Sequence, residues 1–289
     1  SFSFSRTEKY INGFYLNLLK RNDRKVKMET ELKKSRHNIN RFEAIDGSTI
    51  TNLNGFKGTI KNSETKQYAT YLSHLNMLKL AKQNKWGSVL IFEDDITLSN
   101  DFDVRLDYLI TTLPKDWKIV YLGFNGQPNT SLTKINKWVY STKNVYGCFG
   151  MLINGEFLTE LVSKIENNKM VIDEMIKTLI LPNYNCYSFI PFLLYVNDDY
   201  SDLWNKNREL SRIKNLYLPY VNLNHEYEID LKPPFMIKSG HKVSNSKLSI
   251  IIPTFNNVGF IKDCLSSVIK SVKSLDCEIL VGIDNCEKT

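Results

Sequence analysis

The sequence predicts an α/β fold, with helices packed on a mostly parallel central sheet. Three observations carry this. Short apolar runs alternate with longer stretches of helical period. The clearest run, Ser88-Val89-Leu90-Ile91-Phe92, is unbroken and reads as a short buried strand. Acids and glycines follow directly on such runs, at Asp46-Gly47, Glu93-Asp94-Asp95 and Gly123. Ligands in parallel sheets bind at the carboxyl ends of strands, where strand order switches, so these residues are expected to meet in one crevice.

Taken in order, residues 11–18 form the first expected strand. A helix through Val26, Met28 and Leu32 comes next, with Asp23 as its expected cap. Residues 41–45 give a second strand ended by Asp46-Gly47, and residues 48–66 are polar and loop-like. Tyr68, Tyr71, Leu72, Leu75 and Leu78 recur at helical spacing and read as core. After the acids, residues 103–113 suggest a helix stopped by Pro114, and residues 118–123 another buried strand. Residues 146–153 are small and apolar, and helices are expected over 156–165 and near 170–181.

The stretch 230–247, with Pro233-Pro234, Ser239-Gly240 and Ser244-Asn245-Ser246, reads as a linker after a first domain of residues 1–229. A new strand (248–253), a helix (258–272) and a strand (278–283) come after it. About forty residues are few for an independent domain, so 248–289 read as the opening of a second domain cut short, or else as a subdomain packed on the first.

Composition narrows the function. The 289 residues are 42% hydrophobic and carry a net charge of +7. The most basic stretch, Lys20–Lys34, is interrupted by acids, which fits a solvated helix better than a nucleic-acid patch. Five cysteines without short metal spacing argue against a disulfide framework or a zinc site. No apolar stretch approaches the roughly 18 residues of a membrane span, and no signal peptide is present. The expectation is a cytoplasmic protein, with the missing initiator Met pointing to a trimmed start.

Glu93-Asp94-Asp95 is the most informative feature. Three acids at the mouth of a buried strand repel one another and lose solvation. A bound cation would remove both costs, and hard oxygen ligands suit Mg²⁺ or Mn²⁺, ions that commonly grip nucleotide phosphates. The competing reading is an acidic turn, with Asp94 or Asp95 capping the next element.

Seven strings in order resemble glycosyltransferase family 25, which includes lipopolysaccharide and collagen hydroxylysine galactosyltransferases. They are Tyr15-Leu16-Asn17-Leu18 with Arg21 and Arg24; Phe42-Glu43-Ala44-Ile45-Asp46-Gly47; Leu72-Ser73-His74; Leu90-Ile91-Phe92-Glu93-Asp94-Asp95; Asp116-Trp117 through Gly123; Val171-Ile172-Asp173-Glu174; and Asp198-Asp199-Tyr200-Ser201-Asp202. Together they cover roughly residues 11–205. Ala69-Thr70 stand where the family often has Gly-Cys, and the last string ends in Leu203-Trp204. Residues 248–289 resemble the start of a family 2 glycosyltransferase, through Ile251-Ile252-Pro253-Thr254-Phe255-Asn256-Asn257, with Asp284 near the uridine contact expected there. That family's metal motif and base lie further on, so this fragment is expected to be inactive.

The resemblance implies a nucleotide-binding, Rossmann-like fold of the GT-A type and an inverting transfer of a hexose, galactose or glucose, from a UDP-sugar to a hydroxyl of a glycan or protein. It implies Mn²⁺ or Mg²⁺ at Glu93 and Asp95, with Asp202 completing the site or serving as a plain turn acid. Asp94 would bridge ribose or sugar hydroxyls. Asp173 is the first candidate for the general base and Glu174 the second; the alternative is that Asp173 caps its helix. Leu18, Arg24, Asp46, Ser73 and His74 make up the rest of the donor site. Arg24 would hold a phosphate or else be a solvated first-turn residue. Asp46 would accept from uracil or ribose, or simply form a turn. His74 would reach the diphosphate or metal, or be a packed helical histidine. His225 is a weak metal candidate. Two rival classes stand beside this reading: a degenerate module that only binds a nucleotide sugar, and a metal-dependent phosphohydrolase.

Overall fold

The computed structural model describes residues 10–126 and 129–197, then short stretches at 200–201, 206–207, 248–254, 267–269 and 277–283. The chain divides into two compact units, Ser1–Asn222 and Leu223–Thr289.

The first unit opens with β1 (Asn12–Leu18), α1 (Asn22–Leu32), β2 (Asn38–Ala44), α2 (Glu64–Gln83) and β3 (Ser88–Glu93). β4 (Ile96–Leu98), α3 (Phe102–Thr112), β5 (Ile119–Tyr121), β6 (Ser131–Lys134) and β7 (Val139–Lys143) follow. β8 (Gly150–Asn154), α4 (Leu158–Asn168), α5 (Ile172–Met175), β9 (Cys186–Phe189) and β10 (Leu194–Val196) come next. Beyond them lie the short antiparallel strands β11 (Tyr200–Ser201) and β12 (Lys206–Asn207).

Eight strands form one sheet in the order β2-β1-β3-β8-β5-β9-β7-β6. β1 is parallel to β2 and β3, and β5 to β9. β8 runs against β3 and β5, and β7 against β9 and β6. Thus β1, β2, β3, β5, β6 and β9 share one direction, and only β7 and β8 oppose it. This is the expected α/β sheet, mixed overall and mostly parallel in direction at its core. A separate antiparallel pair, β4 with β10, lies just beyond the acidic residues.

Burial follows strand order. Val89, Leu90, Ile91 and Phe92 of β3 are fully buried, as an unbroken apolar run in an inner strand should be. β2, at the edge, has only exposed and half-buried residues. Gly13 allows β1 and β3 to close up, since a Cβ there would stand 2.4 Å from the Leu90 carbonyl oxygen. Right-handed crossovers β1-α1-β2 and β2-α2-β3 lead to opposite sides of β1, so α1 and α2 cover opposite faces. The stripe on α2 is core as expected: Tyr68, Tyr71, Leu75 and Leu78 are buried, and the Tyr71 hydroxyl donates to the Ile165 carbonyl of α4 at 3.0 Å.

Several local expectations are corrected. Asp23 lies inside the first turn of α1 and accepts from Arg21 at 2.8 and 3.0 Å; Arg21 holds the cap position with no side-chain cap bond. Neither Asp94 nor Asp95 caps a helix, because the strand β4 comes directly after them. The helix expected near 170–181 is broken into the four-residue α5 and a π-type segment, Ile176–Ile180. Asp173 does not cap α5 either; Val171 stands at the cap.

In the second unit, β13 (Leu248–Thr254) pairs in parallel with β14 (Cys277–Ile283), in register from Leu248↔Cys277 to Thr254↔Ile283. Residues 267–269 are helical. The expected linker, Asp284 and most of the expected helix lie outside the described residues.

Candidate active site

Chain order makes the site. From β1 the chain passes to β2 on one side, then back across to β3 on the other. Strand order therefore reverses at β1, and in α/β sheets the crevice that takes a ligand lies at such a reversal, here the carboxyl ends of β1 and β3. Leu16 of β1 stands opposite Glu93 of β3, so the two acids after Glu93 face the end of β1. Two backbone bonds pin this turn. The Glu93 N–H donates to the Phe149 carbonyl at 3.1 Å, and the Asp95 carbonyl accepts from the Asn197 N–H at 2.7 Å.

The acids hold a cation, and it is a guanidinium. Arg24 Nη1 donates to Asp94 Oδ1 at 2.9 Å and lies 3.4 Å from Asp95 Oδ2. The second oxygen of Asp94 accepts from Asn17 Nδ2 at 2.7 Å, and Asn17 Oδ1 accepts from Arg41 Nε at 2.8 Å. A polar chain thus runs Arg41–Asn17–Asp94–Arg24–Asp95 across the floor of the crevice. Arg24 is buried, which rules out a solvated first-turn residue. Burial opposes its charge, but Asp95 and Asp94 outweigh that effect and its pKa is raised. Burial likewise pushes the Asp94 carboxyl up, against the pull of Arg24 and Asn17.

Glu93 turns the other way. Its carboxylate is partly exposed and stands 4.0 Å from Nε2 of His74, a buried atom with no hydrogen-bond partner. Burial holds the His74 imidazole down at about 4, so it is neutral near pH 7. Its neighbour Ser73 is committed to backbone. The hydroxyl donates to the Ala69 carbonyl at 2.7 Å and accepts from the Ile45 N–H at 2.9 Å. Ser73 therefore ties α2 to the loop that carries Asp46. Asp46 accepts from the Ser48 N–H at 2.9 Å and pairs with Lys20 at 2.7 Å. The Lys20 bond, with help from Ser48, brings its carboxyl down to about 2. Leu18, half-buried at the end of β1, accepts at its carbonyl from the Arg21 N–H at 3.0 Å.

Cys148 lies beside Asp173. Its thiol is buried, interacts with the charge of Glu93, and donates a hydrogen bond to Asp173. Burial first, then the Asp173 charge and bond, push the thiol well above its ordinary range, so it stays a neutral donor. Gly147 gives the chain its sharp approach, with φ +110°. Glu174 points to a different group: it accepts from the Tyr146 hydroxyl and pairs with Lys177 at 2.9 Å. Gly123 packs against β10. A Cβ there would stand 2.6 Å from the Leu194 carbonyl oxygen, so Gly123 makes room for the backbone at β10. Asp202 and His225 lie outside the described residues.

Among the described residues no group of three or more His, Cys, Asp and Glu side chains converges on one metal position. A hard cation of the Mg²⁺ kind does not require one, since one or two carboxylates plus substrate phosphates commonly hold it. Glu93 and Asp95, on either side of Asp94 in sequence, have the carboxylate chemistry that suits such an ion, although Glu93 faces His74 and Asp95 faces Arg24.

Sequence reasoning missed Asn17, Arg41, Tyr146, Cys148 and Lys177 as parts of the site. Asn17 left a signal: it is a polar residue inside an otherwise apolar strand, and burying its amide requires a dedicated partner. The others left none: Arg41 and Tyr146 find Asn17 and Glu174 more than twenty residues away, and the i,i+3 pair of Lys177 with Glu174 reads as an ordinary helix-face pair.

Residues 11–176 match the profile of Glycosyltransferase family 25 (LPS biosynthesis protein). Human procollagen galactosyltransferase 2 is 22% identical over 186 residues, 57% of this chain and 30% of that protein. The mouse protein of the same name is 24% identical over 125 residues, 38% of this chain and 20% of that protein. The chain thus spans less than a third of the length of the curated relatives it matches. Among solved structures, a glycosyltransferase involved in the glycosylation of the major capsid of PBCV-1 is similar with a TM-score of 0.41 and 10% identity, over 73% of this chain and 89% of that one. No helix among the described residues is long and apolar enough to cross a membrane. The profile covers more than half of the sequence and takes in the acidic turn, the Ser73-His74 pair and Asp173, and on that match the chain belongs to glycosyltransferase family 25.

Proposed function

We propose that this chain transfers a hexose, galactose or glucose, from a UDP-sugar to a hydroxyl of a glycan or protein, such as a lipopolysaccharide-like glycan or a hydroxylysine, with inversion. One observation carries the reading. The acidic turn at the end of β3 is cross-linked to β1 through Asn17 and Arg24 at the reversal of strand order. The galactosyltransferase names of the curated relatives support galactose as the sugar to test first.

In this reading the donor diphosphate sits at the carboxyl ends of β1 and β3. Glu93 and Asp95, with Asp202 as a third candidate, would hold Mn²⁺ or Mg²⁺, which neutralises charge on the leaving diphosphate. Arg24 is already charged and fixed beside that position, so its stabilisation costs no reorganisation during reaction. Asp94, held by Asn17 and Arg24, presents its carboxylate to ribose or sugar hydroxyls. Asp46 accepts from the uridine, Ser73 steadies its loop, and Leu18 and neutral His74 complete the donor side. Asp173 takes the proton of the acceptor hydroxyl as it attacks the anomeric carbon, with Glu174 the second candidate for that step.

A panel of nucleotide sugars, each with and without Mn²⁺, tests the proposal. Metal-dependent donor hydrolysis or transfer that disappears in Asp95→Ala supports it. Tight donor binding without turnover on any acceptor would make the chain a binding module. Phosphate release from simple esters would make it a phosphohydrolase.

A further inference from the structure

Tyr146, Glu174 and Lys177 form a connected group, of which the transfer chemistry above uses only Glu174, and that as the second candidate for the base. The Tyr146 hydroxyl donates to Glu174 Oε1 and accepts from Lys177 Nζ. That ammonium also lies 2.9 Å from Glu174 Oε2 and 4.0 Å from the centre of the Tyr146 ring. The Lys177 and Glu174 side chains are only 19% and 26% exposed, so this is a partly desolvated cluster and not a solvated surface pair.

Its position gives it a role. α5 has four residues, no side-chain cap bond, and a π-type continuation. So short a helix has little stability of its own and depends on outside ties. Glu174 supplies one, next to Asp173. On the far side, Tyr146 is fixed by paired backbone bonds with Asn125 at 2.7 and 3.0 Å. Two residues on, the Cys148 thiol donates to Asp173 itself. The segment 146–148 therefore grips two successive residues of α5, Glu174 through the phenol and Asp173 through the thiol.

We propose that Tyr146, Glu174 and Lys177 are positioning residues that fix the first turn of α5 and so set the direction of the Asp173 carboxylate. The inference rests on the reading of Asp173 as the base. It gives Glu174 a role through its neighbour, since Tyr146 and Lys177 already engage both of its oxygens.

The test uses the full chain with Tyr146→Phe, Lys177→Met and Lys177→Arg. Misplacing a catalytic group by a fraction of an ångström should lower kcat about 10- to 100-fold in Tyr146→Phe and Lys177→Met, with donor KM within about twofold. Lys177→Arg should restore most of the rate. A second readout needs no activity: N-ethylmaleimide labelling of Cys148 relative to Cys186, followed by peptide mass spectrometry. Both thiols are buried, at 1% and 0% exposure. Local loosening of 146–148 should raise the Cys148 to Cys186 labelling ratio about tenfold in Tyr146→Phe. An unchanged kcat, a rise in donor KM that accounts for the whole loss, or equal gains in labelling at both cysteines would each overturn the proposal. If the wild type transfers no sugar to any acceptor, the proposed function fails, while the labelling ratio still decides whether the tie exists.

Discussion

Arg24 and Asp94 stand 70 residues apart in sequence and form a buried ion pair at 2.9 Å, with 7% and 9% of their side chains exposed. The pair joins the first turn of α1 to the turn after β3 and so closes the floor of the crevice. It also revises the electrostatic argument for the acids. Their mutual repulsion is already relieved by a protein cation, so the turn is stable before any ligand arrives.

Removing Arg24 should therefore be costly. Arg24→Met leaves Asp94 and Asp95 buried beside each other without their cation, and breaking a buried pair from one side typically costs about 3–5 kcal/mol. Urea unfolding at neutral pH measures it, and a loss below about 1 kcal/mol would mean that the pair behaves like a surface contact. The double variant Arg24→Met, Asp94→Asn should recover part of the loss, since one stranded charge is then gone.

His74 makes stability depend on pH in a definite direction. Its folded pKa is held at about 4 by burial, below the ordinary 6.5. Between those values the unfolded chain binds a proton that the folded chain refuses, so this contribution to stability falls as pH drops from 6.5 towards 4 and is flat above 6.5. The effect scales as about 1.4 kcal/mol per pH unit within that window. His37, also lowered by burial, acts with the same sign, and Asp94, raised by burial, acts against it. The comparison that isolates His74 is wild type against His74→Gln. The difference in their unfolding free energies should shrink as pH falls from 7 to 4.5, and parallel curves would exclude the assignment.

The parts legible in the sequence were those written in local pattern. An unbroken apolar run gave β3, and its acidic end gave the turn. The α2 stripe from Tyr68 to Leu78 gave a core helix. What stayed hidden was set by distant partners. β6 and β7 are largely polar and partly exposed, and pairing with each other and β9 makes them strands, not alternation of their own. The segment after α5 has helical periodicity but switches to π geometry, which periodicity does not encode. Arg24 read equally well as solvated or phosphate-binding, because nothing local says that α1 buries it against Asp94.

Asp173→Asn is expected to lower turnover about 10²- to 10⁴-fold, the usual worth of a placed general base, while donor affinity stays the same. The amide still accepts from the Cys148 thiol, so the local fold should survive. Calorimetric titration with the UDP-sugar and initial rates on the same preparation separate the two effects. Equal rates for variant and wild type would remove Asp173 from the mechanism.

Ser73 gives a case in which stability and donor binding move together for a stated reason. Its hydroxyl joins the Ala69 carbonyl to the Ile45 N–H, one residue before Asp46. Ser73→Ala leaves that half-buried N–H without its acceptor, at a cost of about 1 kcal/mol. The loop carrying Asp46 should loosen with it, so donor KM rises while kcat at saturating donor is retained, the signature of lost ground-state binding. Ser73→Thr keeps the hydroxyl and should preserve donor KM. If Ser73→Ala lowers kcat with KM unchanged, Ser73 acts on the transition state directly and the tie to Asp46 is not its role.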